Sequence, residues 1–377
     1  MTDPTDLTVF IDPPSHHFLQ DALFDPHNAK LNRDNVLAPY HLVRERLARR
    51  GIPVHTADLL LNGRKRSRHN LYVSTGILSN YRALVGRKDV TLAACFAFEI
   101  PIVEPTMYRE MRRAQDHFQH IYSWSDSAAL ERFAGGPLRC EQFWWPQPFT
   151  GVHERLWAGT GRKFLTMINS NKLPRVYWQE LYTERRKAVE YFSRTDEIDL
   201  YGMGWAKPSH RVGKSWMPYT LRRAEEFVRE RWQRLRPDPL LQAARRVYRG
   251  AVAAKAEVLG QYTFALCFEN MILKGCITEK IFDCLHVGTT PVYWGAPDIA
   301  DYVPRGCFID MRDFPSYAEL ARYLKSLDRK AIQGFRENGR QYLHSAQFHR
   351  FTAEAFADLF DGLVAENQRP HAGPASP

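Results

Sequence analysis

The residues whose types and spacing could do chemistry are concentrated in one stretch. Phe264-Ala-Leu-Cys-Phe-Glu-Asn270 ends an apolar run on an acid and an amide, and Thr278-Glu-Lys280 follows after a seven-residue connection. The string Thr278–Val287, closed by Gly288, predicts a helix with Thr278 as its N-cap. Free amides of a first helical turn and the helix dipole favour a phosphate, and Lys280 adds a full positive charge. An isolated Thr-Glu-Lys triplet also serves simply to cap and charge a helix, so the triplet alone does not decide. A second acidic feature follows the apolar run Val90–Phe98, where Glu99-Ile-Pro-Ile-Val-Glu-Pro105 places Glu99 and Glu104 in a loop whose two prolines forbid an immediate helix.

Positioning such groups takes strands that end at the ligand and helices that begin there. Leu7–Ile11 has a short strand pattern, a helical run near Val36–Arg50 follows and ends at Gly51, and Val90–Phe98 predicts a buried strand. The pattern restarts with a strand at Lys163–Ile168, a helix near Trp178–Phe192 and a strand at Ile198–Tyr201. Strands at Phe264–Phe268 and Pro291–Trp294 flank the Thr278 helix. Alternation of this kind predicts an α/β protein with parallel sheets covered by helices. A chain of 377 residues exceeds one core, so two domains are expected: 1–155, 156–366, and a disordered tail over 367–377. In open α/β sheets ligands bind beyond the carboxyl ends of the strands, where the pair Glu269-Asn270 would lie.

The string from Phe264 through Thr278-Glu-Lys280 to Pro291-Val-Tyr-Trp-Gly-Ala-Pro297, continuing into Cys307–Phe314, resembles the signature of the α1,3/α1,4-fucosyltransferases, glycosyltransferase family ten. More weakly, Asn169-Ser-Asn171, Arg185 and Ile198-Asp-Leu-Tyr-Gly202 look like that family's opening of its donor domain. The resemblance implies two Rossmann-like domains facing across a cleft (GT-B type), the first meeting a glycan acceptor and the second gripping a GDP-sugar donor. It also implies inverting transfer of L-fucose from GDP-fucose. By that analogy Arg185 and Lys280 hold the diphosphate, Asn270 contributes near the phosphates, Thr278 opens the helix that faces them, and Glu279 accepts from ribose hydroxyls. Phe98-Glu-Ile-Pro101 resembles the family's acidic loop residue, which makes Glu99 the expected catalytic base and Glu104 its rival. Family members often carry a tyrosine where Cys276 stands, and a thiol is a weak donor, so another sugar nucleotide is the near alternative. No DxD triplet is present, so no obligatory metal is expected and a divalent ion would at most stimulate.

Lysine and arginine number 52 against 42 acids, and the resulting charge of +10 favours an anionic partner. The arginine-rich run Arg222–Arg249 can be a solvated helical face, a dock for anionic lipid, or a nucleic-acid surface. The last of these would make the chain a non-catalytic nucleic-acid-binding protein. Nothing resembles a base-reading module, and no nucleic acid is expected as a partner. Six cysteines without a CxxC pair imply a reduced compartment. The opening Met1-Thr-Asp-Pro-Thr-Asp6 lacks a positive start and an apolar run, so a cytoplasmic enzyme meeting the inner membrane face from its surface is expected, working on bacterial surface glycan or lipopolysaccharide. Phe143-Trp144-Trp145 can stack on sugar rings or fill a core.

Overall fold

The computed structural model describes residues 6–76, 80–125, 127–207, 209–213, 218–236 and 238–368. The chain divides into two compact units, one made of residues 1–98, 107–149 and 349–377, the other of 99–106 and 150–348. In the first, the strands β1 (Leu7–Asp12), β2 (Val54–Thr56), β3 (His69–Ser74), β4 (Val90–Phe96), β5 (His120–Ser123) and β6 (Glu141–Gln142) form one sheet in the order β2-β1-β3-β4-β5-β6. Every neighbouring pair is parallel. Parallel strands covered on both faces need unbroken apolar sequence rather than alternation, which is why Leu92–Phe96 is buried at every position.

The helix Ala38–Ala48 covers this sheet together with a helix from the far end of the chain, Ala353–Gln368. Arg46 and Arg50 hold the pair by bonding Asp361 at 3.1 and 2.5 Å, and Arg46 also bonds Asp358. The second unit therefore ends at Phe348, before the limit of 366 expected for it, and residues 349–368 belong to the first. The expected tail 367–377 is helical through Gln368, and its remainder lies outside the described residues. Phe143 is buried, with its ring 5.4 Å from Phe96 and 5.2 Å from Phe98, and Trp145 stacks on Trp124 at 5.4 Å. Both aromatics thus pack inside the first unit. Phe98, held by Phe143 and Trp145, fixes the backbone immediately before Glu99.

The second unit holds β7 (Lys163–Ile168), β9 (Ile198–Tyr201), β11 (Tyr262–Phe268), β12 (Thr290–Trp294) and β13 (Ile309–Asp310) in a parallel sheet of order β13-β12-β11-β7-β9. A separate ribbon pairs β8 (Lys172–Pro174) with β10 (His210–Val212). Each unit is Rossmann-like, as expected. In the second sheet the order reverses at β7, with β9 on one side and β11 on the other, so the switch point lies between the ends of β7 and β11. The helix Tyr182–Arg194 starts four residues later than Trp178 because Glu180 is used before it: its carboxylate accepts from Thr183 N at 2.9 Å, and its backbone bridges to Met271.

Candidate functional site

β11 is apolar to its last residue, and the chain then places Glu269 at 1% exposure. A carboxylate so buried needs full hydrogen bonding. It receives Thr278 N at 2.9 Å, Thr278 Oγ1 at 2.8 Å and Lys280 Nζ at 2.8 Å. Space for it is made by Gly295, where a Cβ would lie 2.4 Å from Glu269 Cγ. The helix Glu279–Val287 closes at Gly288 in the left-handed region, φ 71°, as the sequence predicts.

Thr278 occupies the N-cap position with extended backbone, but its side chain makes no capping bond. Its hydroxyl is given to Glu269 instead and accepts from Lys280 Nζ at 2.8 Å. The threonine hydroxyl therefore leaves the first-turn amides to other acceptors, the Glu279 carboxylate among them. Lys280 is also 3.8 Å from Glu279, which in turn meets Lys255 at 3.5 Å. Burial pulls the Lys280 ammonium down, but Glu269 and Glu279 outweigh it and hold it above its ordinary value. For Glu279 burial alone would raise the carboxyl, and Lys280 and Lys255 instead hold it well below the usual range.

Arg185, on the helix Tyr182–Arg194, is 4% exposed. Its guanidinium donates to Phe268 O at 2.6 Å and to Asn270 Oδ1 at 2.8 Å and lies 4.9 Å over the Tyr182 ring. These bonds clamp the strand end beside Glu269 and orient the Asn270 amide with its NH2 as the donor end. The neighbouring Arg186 points elsewhere, bonding Asn171 Oδ1 at 2.9 Å and Asp238 at 2.5 Å. Asn171 thus supports the loop rather than joining Arg185.

Glu99 belongs to the second unit although it follows a strand of the first. Its side chain is accessible to solvent yet crowded by protein: burial raises its carboxyl above the ordinary range, against the opposing pull of the Ile100 amide, Lys172 and Lys280. Lys280 is thus one of the charges that act on the Glu99 carboxyl. Glu104 accepts from Thr106 Oγ1 at 2.6 Å, which ties it to the start of the helix Pro105–Ala114. Cys276 is 2% exposed, and burial pushes its thiol far up, so it lines the interior next to Glu269 rather than presenting a donor.

Six expected residues thus gather in one unit: Arg185, Asn270, Thr278, Glu279 and Lys280 around the end of β11, with Glu99 electrostatically coupled to them. Glu269 and Lys255 carry roles that reading the sequence did not assign. The signal for Glu269 was present, since an acid that directly continues a buried strand must be paired. Lys255, far upstream on the short helix Lys255–Leu259, gave none.

Residues 242–345 match the family model described as glycosyltransferase family 10 (fucosyltransferase) C-term. The chain is 44% identical over 77 residues to the alpha-(1,3)-fucosyltransferase FucT of Helicobacter pylori, 20% of this chain and 16% of that protein. It is 45% identical over 73 residues to the GDP-fucose protein O-fucosyltransferase 3 of Gallus gallus, 19% and 15% of the two lengths. The matches therefore span about a sixth of these relatives. Among solved structures, Anabaena HepE in complex with UDP and glucose superposes over 96% of this chain and 99% of its own, with a TM-score of 0.52 at 12% identity. That likeness shows the fold class, α/β of the GT-B type.

Proposed function

We propose, from the match of residues 242–345 to the glycosyltransferase family 10 (fucosyltransferase) C-terminal model, that the chain transfers L-fucose from GDP-fucose to a hydroxyl of an acceptor glycan with inversion. The observation that carries this reading is the charged cluster at the β11 end of the switch point, where Lys280, Arg185 and an uncapped helix start converge. An acceptor oxygen attacks the anomeric carbon, the bond from that carbon to the diphosphate oxygen breaks, and Glu99 takes the hydroxyl proton. GDP leaves with the electron pair of the broken bond. Negative charge grows on the diphosphate during this step, so fixed donors there act mainly on the transition state.

In this reading Lys280, Arg185, the Asn270 NH2 and the first-turn amides after Thr278 face the diphosphate, while Glu279 receives ribose hydroxyls. Glu269 touches no substrate: it positions Lys280 and Thr278. The raised Glu99 carboxyl suits a general base, whose efficiency improves as its pKa approaches the working pH. No metal is needed, since the protein's own cations face the leaving group. An anionic surface glycan of the lipopolysaccharide kind suits this reading as acceptor, because Lys172 is among the cations that act on the Glu99 carboxyl and the chain carries a net charge of +10.

Calorimetric titration with GDP, UDP, CMP and GDP-fucose, without added metal, tests the donor. Binding should favour GDP and GDP-fucose and weaken in the Glu269→Gln/Lys280→Ala double variant, which removes the cation without stranding a buried acid. Indifferent binding of all four, or none, would discard the reading; preference for UDP would favour another sugar nucleotide on the same site, the alternative that buried Cys276 leaves open.

A further inference from the structure

The helix Tyr219–Leu235 departs from the usual surface pattern. Leu221, Val228, Trp232 and Leu235, spaced to fall on one stripe, are 55%, 64%, 58% and 76% exposed, and Phe227 beside them is 65% exposed. Two of its acids are held by residues of the β8–β10 region: Glu225, one turn beyond Leu221 along the same stripe, lies 3.8 Å from Arg175, and Glu226 lies 3.8 Å from His210. Arg223, Arg231 and Arg236 remain outside, and the Arg236 guanidinium sits 5.3 Å over the Trp232 ring. Contiguous apolar surface rarely stays open on a soluble protein without a partner.

The arginines decide among partners. A second copy meeting this stripe would oppose arginine to arginine, which costs affinity. Nucleic acid is held by basic and aromatic groups, and the exposed aliphatic Leu221, Val228 and Leu235 would have nothing to bury against. A bilayer rich in anionic phospholipid accepts both halves: apolar side chains enter the acyl boundary, while arginines meet the lipid phosphates. No helix among the described residues is long and apolar enough to cross a membrane, so contact through this helix would lie in the plane. We propose that the helix Tyr219–Leu235 docks the protein on anionic membrane surfaces, with Trp232 and Leu235 inserted and Arg223, Arg231 and Arg236 on lipid phosphates.

Vesicle flotation tests this, using phosphatidylcholine alone and equal parts phosphatidylcholine and phosphatidylglycerol. The protein should float with the anionic vesicles only. Serine at Leu221, Val228 and Leu235 together should cut that binding at least about tenfold, since each buried CH2 stabilises insertion. Glutamine at Arg223, Arg231 and Arg236 should cost about fivefold per arginine, as should raised salt. Unchanged thermal unfolding midpoints in both variants would exclude misfolding as the cause. The proposal falls if the wild-type protein ignores anionic vesicles, if the serine variant floats as well as wild type, or if the same residues instead control dimerisation or oligonucleotide binding.

Discussion

Two buried strands, β4 and β11, each lead into a Phe-Glu pair, and the glutamates are treated in opposite ways. After β4, the Glu99 side chain reaches solvent, yet burial disfavours its charged form against the opposing pull of the Ile100 amide, Lys172 and Lys280. Beyond β11, Glu269 is sealed in and bonded directly to Lys280 and to both donors of Thr278. The same residue type at equivalent places thus yields a group that can exchange a proton and one that organises its neighbours. Divergent environments for two acids are how one site separates chemical roles.

The largest effect that would break this contrast lies at Glu99. Glu99→Gln should lower transfer to acceptor about 10²–10⁴-fold while GDP binding in calorimetry stays unchanged; full turnover would remove Glu99 from the reaction. At Glu269 the effect should appear in stability. Lys280→Met strands a buried carboxylate and should cost about 3–5 kcal/mol in denaturant unfolding, and adding Glu269→Gln should restore most of it. If the double variant is no more stable than the single one, the pair is not coupled as described.

Acid titration sharpens the comparison further, because the shifted acids have opposite signs. Glu99 is raised on folding, so stability falls as pH rises from about 4.3 through its folded value, and Glu99→Gln should flatten that slope. Glu279 is lowered, so it contributes stability that is complete above about 4.3 and lost as pH drops through its folded value; Glu279→Gln should blunt acid unfolding. In kinetics, the acidic limb of kcat/KM should sit above the ordinary glutamate value if Glu99 is the base. The smallest effect is expected at Glu104, whose carboxylate is occupied by Thr106: Glu104→Gln should leave that limb in place. A shifted limb would exchange the two acids.

What could be read beforehand was mainly local. β4 and β11 are apolar runs, and Gly288 ends its helix for a backbone reason visible in one residue. The gathering of Arg185 with Asn270 came from the resemblance, since 85 positions separate them and neither periodicity nor charge links them. Thr278 was legible as an N-cap in position but not in bonding, because its hydroxyl answers to Glu269, a demand set by burial. The Tyr219–Leu235 helix was legible as part of an arginine-rich run with lipid docking among its readings, but apolar spacing normally marks the face turned inward, so the exposure of Leu221, Val228, Trp232 and Leu235 emerges only from the fold.

The return of the helix Ala353–Gln368 to the first sheet also governs the order in which the protein can assemble. During synthesis the second unit, residues 99–106 and 150–348, has emerged in full once Phe348 is made and can fold as it leaves the ribosome. The first sheet emerges earlier but must wait for Phe356, Phe360 and Val364 to cover its apolar face. That wait leaves early-made strands exposed, where a chaperone would bind and where premature termination would be punished by aggregation rather than by a stable half-protein.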